Sequence, residues 1–391
     1  MGQGQERGVL RPGAGGGTRR VAAYLPGPSG DSARRAGDGR GMRRRAPAVS
    51  LSTYRRLLPR MVGTTLARWF RPHLAYPYRL SISVNNVCNH KCRICLVWKT
   101  YIEDPQAKSR ELRLEEFQKL FARVGRRLCW LSLTGGEPFL RKDLAEMVGA
   151  AVSCSPELAM VSINSTGFGR QRILETVDQI MRLPGAFKLV VVVSLDGPPE
   201  VHDELRGVPG AYDRAVETVR ALEEMGRGNR RLQVRNESVV SSLNVTHLDG
   251  FLKAPPLGHH RHIFALAQES TRYRNVGLGV PVHKGQSAAI HEALNRAYRV
   301  LPVRSPETLV FKLFYRLGER FLNGCDRQVL PCFSSFASVV IGAEGDVRPC
   351  VMMPPAGNLR DFDFDLGRLL ATARFRAARE EILADRCPNC W

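Results

Sequence analysis

No stretch of this 391-residue chain approaches the ~18 consecutive apolar residues that a membrane-spanning helix requires. Its strongest apolar run, Leu189-Val-Val-Val-Val193, has the length of a buried strand. The apolar h-region of a secretory signal is also missing, so the expected location is cytoplasmic. Acidic residues are scarce at the start: residues 1–60 hold 13 Arg, no Lys and only Glu6, Asp31 and Asp38. That segment supplies +10 of the formal net charge of +21, so the overall charge describes the remainder poorly. Residues 1–48 lack apolar periodicity and contain 12 of the 36 glycines. Such a composition cannot bury enough surface to offset the entropy of ordering, so residues 1–60 are predicted to be a disordered tail. A Gly-rich, Ser-poor start argues against a transit peptide. A solvated tail is preferred to a basic arm, and nucleic acid is not expected as a partner. Met42 and Met61 offer later starts, and residues 61–77 read as a lead-in with a short amphipathic helix packing on the body.

The chain also lacks the cysteine pattern of a small secreted scaffold. Ten cysteines in 391 residues, mostly in two tight and distant groups, point to metal ligation in a reducing compartment. The first group is Cys88, Cys92 and Cys95, a C-x3-C-x2-C triplet on one short loop. Three thiolates at that spacing can hold three corners of an iron–sulfur cube and leave the fourth iron open. The alternative is a zinc knuckle completed by His90. The second group is Cys332 and Cys350 with Gly345 between them, followed by the Cys387-Pro388-Asn389-Cys390 pair. Cys325 could compete with Cys332, while Cys129 and Cys154 read as inert buried thiols.

From residue 79 the pattern alternates β-rich and amphipathic runs. Strands are predicted at Arg79–Val84, Cys129–Leu133, Met160–Asn164, Leu189–Leu195, Leu232–Val240 and Ile263–Leu266. Helices are predicted between them at Leu112–Val124, Lys142–Val152, Gln171–Met181, Tyr212–Met225 and near Val245–Leu252. Six such units are too few for an eight-fold barrel, so the expectation is an α/β fold, a partial (β/α)6 TIM-type barrel over 78–285. A helical linker is expected over 286–324 and a small α+β unit over 325–391. In that unit Ser338–Ile341 and Asp346–Arg348 read as a β-hairpin and Leu366–Leu383 as a helix. Loops after strand C-termini form the ligand site in such sheets, and the cysteine triplet and Gly135-Gly136-Glu137 both fall there.

The triplet, Thr134-Gly135-Gly136-Glu137-Pro138, and Ser194-Leu195-Asp196-Gly197 with Arg206 together resemble the radical S-adenosylmethionine (radical SAM) superfamily. The second cysteine group resembles the twitch domain, a shortened SPASM domain. The resemblance implies one catalytic and one auxiliary 4Fe-4S cluster, S-adenosyl-L-methionine as cofactor, and a reducing donor such as flavodoxin or ferredoxin. It implies metal ligation by Cys88, Cys92, Cys95, Cys332, Cys350, Cys387 and Cys390. It also implies cofactor contacts from Ile94, Gly135, Gly136, Glu137, Asn164, Ser194 and Arg206. Ser165 and Thr166 face the same site if the register holds, and the general base is unknown, Glu269 being one carboxylate near the site. The expected activity is C–H abstraction by a 5′-deoxyadenosyl radical. The expected outcome is oxidation of an alcohol- or sugar-like small molecule, with the auxiliary cluster as electron acceptor. The alternatives are modification of a peptide or protein side chain, as in sulfatase-maturase relatives, and a non-catalytic zinc- or nucleic-acid-binding protein.

Overall fold

Alternation along the strands decides how the barrel is built. In β1 (Arg79–Ser83) Leu80 and Ile82 are buried in the core, while Arg79 and Ser81 are half-buried on the other face. The same alternation recurs in β2 (Trp130–Thr134) and β3 (Met160–Ser165), while β4 (Lys188–Ser194) also buries Val190 and Val192 on its other face. Leu131, Leu133, Val161, Ile163, Leu189, Val191 and Val193 join Leu80 and Ile82 in one apolar core. The opposite face carries polar groups, among them Arg79, Ser162, Asn164 and Ser194. Arg79 stacks its guanidinium on Trp130 at 4.0 Å, and the Trp130 indole donates to Ser162 Oγ at 3.0 Å. A sheet with one apolar and one polar face must curve its polar face inward to make a site.

The computed structural model describes residues 51–248, 261–282, 328–387 and 390, with scattered positions elsewhere. The predicted tail over 1–48 and Cys325 lie outside the described residues, as does most of the predicted linker. β5 (Leu232–Val240) and β6 (His262–Leu266) complete six parallel strands in the order of the sequence. Each described strand bound falls within one residue of its prediction. The outer layer comprises α1 (Leu51–Phe70), the single turns α2 (Thr100–Glu103) and α3 (Ala107–Arg110), and α4 (Leu114–Val124). It continues with α5 (Leu144–Cys154), α6 (Arg170–Arg182), α7 (Pro199–Arg206) and α8 (Ala211–Met225). The α/β partial-barrel fold is therefore as the strand pattern indicated.

Three local readings differ. α1 starts at Leu51, within the segment predicted to be a tail, because Leu57 anchors it on Cys129 and Ala159. The predicted helix after β5 opens as a 3-10 turn, Val245–His247, with helical residues following at Leu248 and Phe251 among the described residues. The C-terminal helix is two, α9 (Leu366–Leu370) and α10 (Ala373–Leu383), because Thr372 caps the second by accepting from Phe375 N.

The hairpin of the C-terminal unit does not stand apart from the barrel. β7 (Ser338–Ile341) runs parallel to β1, with Arg79 opposite Ser338 and Ile82 opposite Ile341. β8 (Asp346–Arg348) and β9 (Gly357–Asn358) follow antiparallel, which gives nine strands in the order β6-β5-β4-β3-β2-β1-β7-β8-β9 among the described residues. An uncovered β1 would expose a row of unpaired backbone groups, and β7 satisfies them. The turn into β8 uses Gly345 at φ +89°, where a Cβ would stand 3.1 Å from Leu112.

Candidate active site

The loop after β1 and the turn after β2 open on one cavity of about 610 Å³ at the strand C-termini. Cys88, Cys92, Ile94 and Cys95 line it from the first loop, and Gly135 and Gly136 from the second. Asn164, Ser165 and Thr166 enter from the end of β3, Ser194 from β4, Arg206 from α7 and Glu237 from β5. Six of the seven predicted cofactor-contact residues thus line this one cavity; Glu137 does not.

The cysteine loop is clamped on two sides by backbone. Gly136 N donates to Asn85 O at 3.0 Å and Glu137 N to Val87 O at 2.7 Å. On the other side Lys91 N donates to Arg206 O at 3.0 Å and Arg93 N to Leu205 O at 2.9 Å. Glycine is needed at both clamps. A Cβ on Gly136 would stand 2.0 Å from Val87 O, and one on Gly207 2.6 Å from Lys91 O. Gly207 also takes φ +65°, closing α7 in the left-handed region.

Glu137 is fully buried, and its carboxylate accepts from Thr166 N at 2.7 Å, Thr166 Oγ1 at 2.8 Å, Ser165 Oγ at 3.1 Å and Phe139 N at 3.1 Å. Of the two acceptors the motif offers, backbone carbonyls and the Glu137 carboxylate, the carboxylate is turned inward. Its acceptor capacity is taken up internally, where it ties β2 to β3, and the backbone of Gly135 and Gly136 is what faces the cavity. Arg206 is likewise buried. Its Nε and Nη2 both donate to Asp196 Oδ2 at 2.6 Å, and Nη1 lies 3.8 Å from Cys92 Sγ. Burial works against this cation, but Asp196 and the Cys92 sulfur outweigh it and hold the guanidinium above its ordinary value.

Burial favours the protonated form of the three loop thiols. Burial pushes Cys88 up to about 12 and Cys92 up to about 11, and raises Cys95. Backbone N–H groups of His90 and Val97 act in the other direction on Cys88 and Cys95, and Arg206 does so on Cys92. Thiols in a dry pocket that also contains donors for anionic sulfur suit a bound cation or cluster, which would replace the protons.

Cys332, Cys350, Cys387 and Cys390 line a second cavity of about 300 Å³. Burial and the other three sulfurs push the Cys390 thiol up to about 12, so all four lie within one another's field. Ser334 N and Gln328 Nε2 each donate to sulfur at 3.4 Å, on Cys332 and Cys387 respectively. Among the described residues no three His, Cys, Asp or Glu side chains stand close enough to share a single ion. Each cysteine set lines its own cavity. Cys129 is buried and Cys154 half-buried, both away from these cavities.

Several site residues escaped the sequence reading. Asn85 is buried beside Gly135 and donates to Glu137 O at 3.0 Å. Glu237 faces the cavity and accepts from Asn164 Nδ2 at 3.3 Å. Asn275, fully buried, donates to Ile94 O at 2.8 Å and to Gln268 O at 3.0 Å, and accepts from Ser270 N at 2.8 Å. Glu269, considered as a base, accepts from Gly277 N at 3.1 Å and Gly279 N at 2.6 Å and does not line the cavity. The only local signal for Glu237 was its place in the polar run Arg235-Asn236-Glu237-Ser238 within β5.

Two family models match the chain, one described as the radical SAM superfamily over residues 82–238 and one as an iron–sulfur cluster-binding SPASM domain over 332–391. Their limits contain the two cysteine sets. The chain belongs to the radical SAM superfamily. Among curated relatives of this radical SAM protein is the AdoMet-dependent heme synthase of Oleidesulfovibrio alaskensis, 26% identical over 72% of this chain and 71% of that one. Another is the antilisterial bacteriocin subtilosin biosynthesis protein AlbA of Bacillus subtilis, 24% identical over 80% of this chain and 65% of that one. The chain spans only 37% of the pre-heme d1 synthase of Dinoroseobacter shibae. The solved structure of native anSMEcpe with bound AdoMet and Cp18Cys peptide shares the fold. It matches at TM-score 0.55 and 17% identity, over 79% of this chain and 84% of that one. The family implies 4Fe-4S clusters and S-adenosylmethionine as cofactors. No described helix is long and apolar enough to cross a membrane.

Proposed function

We propose that this radical SAM enzyme carries out an oxidative C–H reaction. In this reading Cys88, Cys92 and Cys95 hold a 4Fe-4S cluster, and Cys332, Cys350, Cys387 and Cys390 hold an auxiliary one. When bound, the first cluster and S-adenosylmethionine supply a 5′-deoxyadenosyl radical for hydrogen-atom abstraction, and the auxiliary cluster supplies an electron acceptor. The observation that carries this reading is the pair of cysteine-lined cavities that share Gln268 as a wall residue.

The chain's own residues then take distinct roles. The Gly135–Gly136 backbone offers carbonyls to an ammonium group, and Arg206, fixed by Asp196, offers its remaining N–H groups to a carboxylate. Ile94 packs with Leu205 and Ala267 and gives an apolar surface for an adenine. Asn164 and Ser194 offer polar contacts from the ends of β3 and β4. Glu237 is our proposed proton acceptor. Burial and then Asp196 raise it above the ordinary carboxylate range, while Arg206 and Arg79 draw it down. A substrate that loses a hydrogen atom, a proton and an electron is oxidised by two electrons. The hydrogen atom would pass to the 5′-deoxyadenosyl radical, the proton to Glu237 and the electron to the cluster that Cys332, Cys350, Cys387 and Cys390 would hold.

Two substrate classes fit. An alcohol- or sugar-like small molecule suits the polar inner face of the barrel. The relative named for subtilosin biosynthesis favours a peptide side chain as the second reading. Anaerobic reconstitution tests the core proposal. Two clusters should give about eight irons per chain, and Cys387→Ala about half of that. The variant should still release 5′-deoxyadenosine without forming product. Loss of all cleavage in Cys387→Ala refutes the division of roles. Deuterium transfer into 5′-deoxyadenosine from either the peptide or the small-molecule fraction of a deuterated cell extract decides the substrate class.

A further inference from the structure

α1 is built inside out. Its buried face carries Thr53, Leu57, Thr64 and Arg68. Its exposed face carries Leu58, Met61, Val62, Leu66, Trp69 and Phe70 at helical spacing, each at least 49% exposed and Phe70 79%. Leu74, in the 3-10 turn that follows, extends the stripe. Soluble helices turn such a stripe to the core, and an apolar patch of this length on the surface marks an interaction site.

The helix is nevertheless well anchored, by arginines on its inner side. Arg56 Nη1 donates to Leu158 O at 3.0 Å, Arg60 Nη2 to Arg126 O at 3.1 Å and Arg68 Nε to Cys332 O at 2.8 Å. Leu57 packs with Cys129, Ala159 and Tyr78, residues just before β2, β3 and β1. α1 therefore covers the N-terminal end of the barrel, opposite the strand C-termini where the large cavity opens. Anything docked on its outer face leaves that cavity free.

Charge identifies the occupant. No acidic residue occurs between Asp38 and Glu103, while 13 Arg and Lys do. Arg55 and Arg71 are exposed at the two ends of the stripe. A second copy of the chain would bring these arginines together in one seam with no carboxylate on α1 to offset them. An apolar stripe ending in Trp and Phe, flanked by Arg55 and Arg71 without an ion pair among the described residues, has the chemistry of an in-plane helix at an anionic lipid surface. We propose that α1 seats the enzyme on an anionic bilayer, with Leu58, Leu66, Trp69 and Phe70 in the acyl–headgroup boundary and the catalytic cavity facing away.

The test is anaerobic co-sedimentation of the full-length, cluster-loaded enzyme with vesicles of phosphatidylglycerol and phosphatidylcholine in equal parts, or of phosphatidylcholine alone. The enzyme should pellet with the anionic vesicles, less so as salt is raised. Leu66→Glu combined with Phe70→Glu should weaken binding by about tenfold or more and leave 5′-deoxyadenosine formation unchanged. Both positions are exposed, and the double variant retains every arginine of the N-terminal region. In the unsubstituted enzyme, brominated lipid should quench tryptophan fluorescence, which does not depend on the variant folding. The proposal is overturned by absent binding or quenching, by equal binding to neutral vesicles, or by unchanged binding of the double variant. A lipid-free dimer that the double variant dissociates overturns it in favour of a second copy.

Discussion

Replacing Gly136 with alanine isolates what holds the catalytic cysteine loop. Gly136 does not require positive φ, so alanine adds no backbone strain there. The only cost is steric. The new Cβ would lie 2.0 Å from Val87 O and 2.5 Å from Val87 C. Ordinary contact begins at 3.4 Å, so strand end and loop must separate by about 1.4 Å. Both atoms are backbone and cannot turn aside as a side chain tip would. The separation breaks the 2.7 Å bond from Glu137 N to Val87 O and loosens the 3.0 Å bond from Gly136 N to Asn85 O. Two buried backbone bonds at about 1 kcal/mol each, with partners left unsatisfied, make about 2–4 kcal/mol. That converts to a loss of roughly 30- to 1,000-fold in the population of the loop competent to hold three thiolates in register. Iron per chain after anaerobic reconstitution and the rate of 5′-deoxyadenosine release are the assays. Iron should fall by about half, with the second set still loaded, and release should fall by about 100-fold or more. Gly149→Ala is the control. It lies in α5 with its nearest neighbour, Leu183, at 3.5 Å, so it should keep iron and rate intact. A Gly136→Ala enzyme with full iron and an ordinary release rate refutes the argument that this backbone contact positions the loop.

Three further outcomes follow from the same geometry. Glu237→Gln should lower product formation by about 100-fold or more while 5′-deoxyadenosine still forms, and an equal loss of both would place Glu237 in cofactor binding instead. Asn275→Ala leaves Ile94 O, Gln268 O and Ser270 N without their partner, about 3 kcal/mol or more in a buried site. Its melting temperature should drop and the ratio of product to 5′-deoxyadenosine should fall; an unchanged ratio counts against a coupling role. His202 is pushed down to about 3 by burial and then by Arg206, so the unfolded chain takes up a proton near pH 6.5 that the folded chain refuses. Its contribution is complete above that pH and is lost as pH falls toward about 3. His202→Gln should flatten the pH slope of stability of the metal-free chain by about 2 kcal/mol between about pH 7.5 and 5, and parallel slopes would disprove this.

The parts of the site that the sequence discloses are those set by local spacing. Cys88, Cys92 and Cys95 are seven residues apart end to end, and Gly135 and Gly136 adjoin a strand whose period is plain. What the sequence conceals depends on which distant group arrives first. Arg206 has Asp203 and Glu204 as near neighbours in sequence, yet α7 carries it back onto Asp196, while Asp203 accepts from Gly210 N and Tyr212 N. Glu137 looks available in the Gly-Gly-Glu motif, but Ser165 and Thr166 from the next strand saturate it. The β7 strand has the pattern of an ordinary hairpin, and nothing local to it says that its free edge pairs with β1 more than 250 residues earlier. Likewise α1 shows helical periodicity, but only the structure shows that its apolar stripe faces outward.

The segment after β6 ties the two distant cysteine sets to each other. Leu96 N, next to Cys95, donates to Tyr273 O at 2.9 Å, and Asn275 holds Ile94 O from the same segment. Ser270 Oγ donates to Val351 O, next to Cys350, and Arg348 Nη1 donates to Thr271 Oγ1 at 2.9 Å. Gln268 begins this stretch and stands in the wall of both cavities. Six residues, Ser270 to Asn275, thus bond to the backbone beside a cysteine of each set, while β1 and β7 fix the same two regions through the sheet. With two independent connections, one set cannot shift without the other. Electron transfer between clusters falls steeply with distance, so a fixed separation is what the proposed oxidation requires. A substrate entering the larger cavity meets Gln268 on the side of the second set, the direction in which its electron would leave.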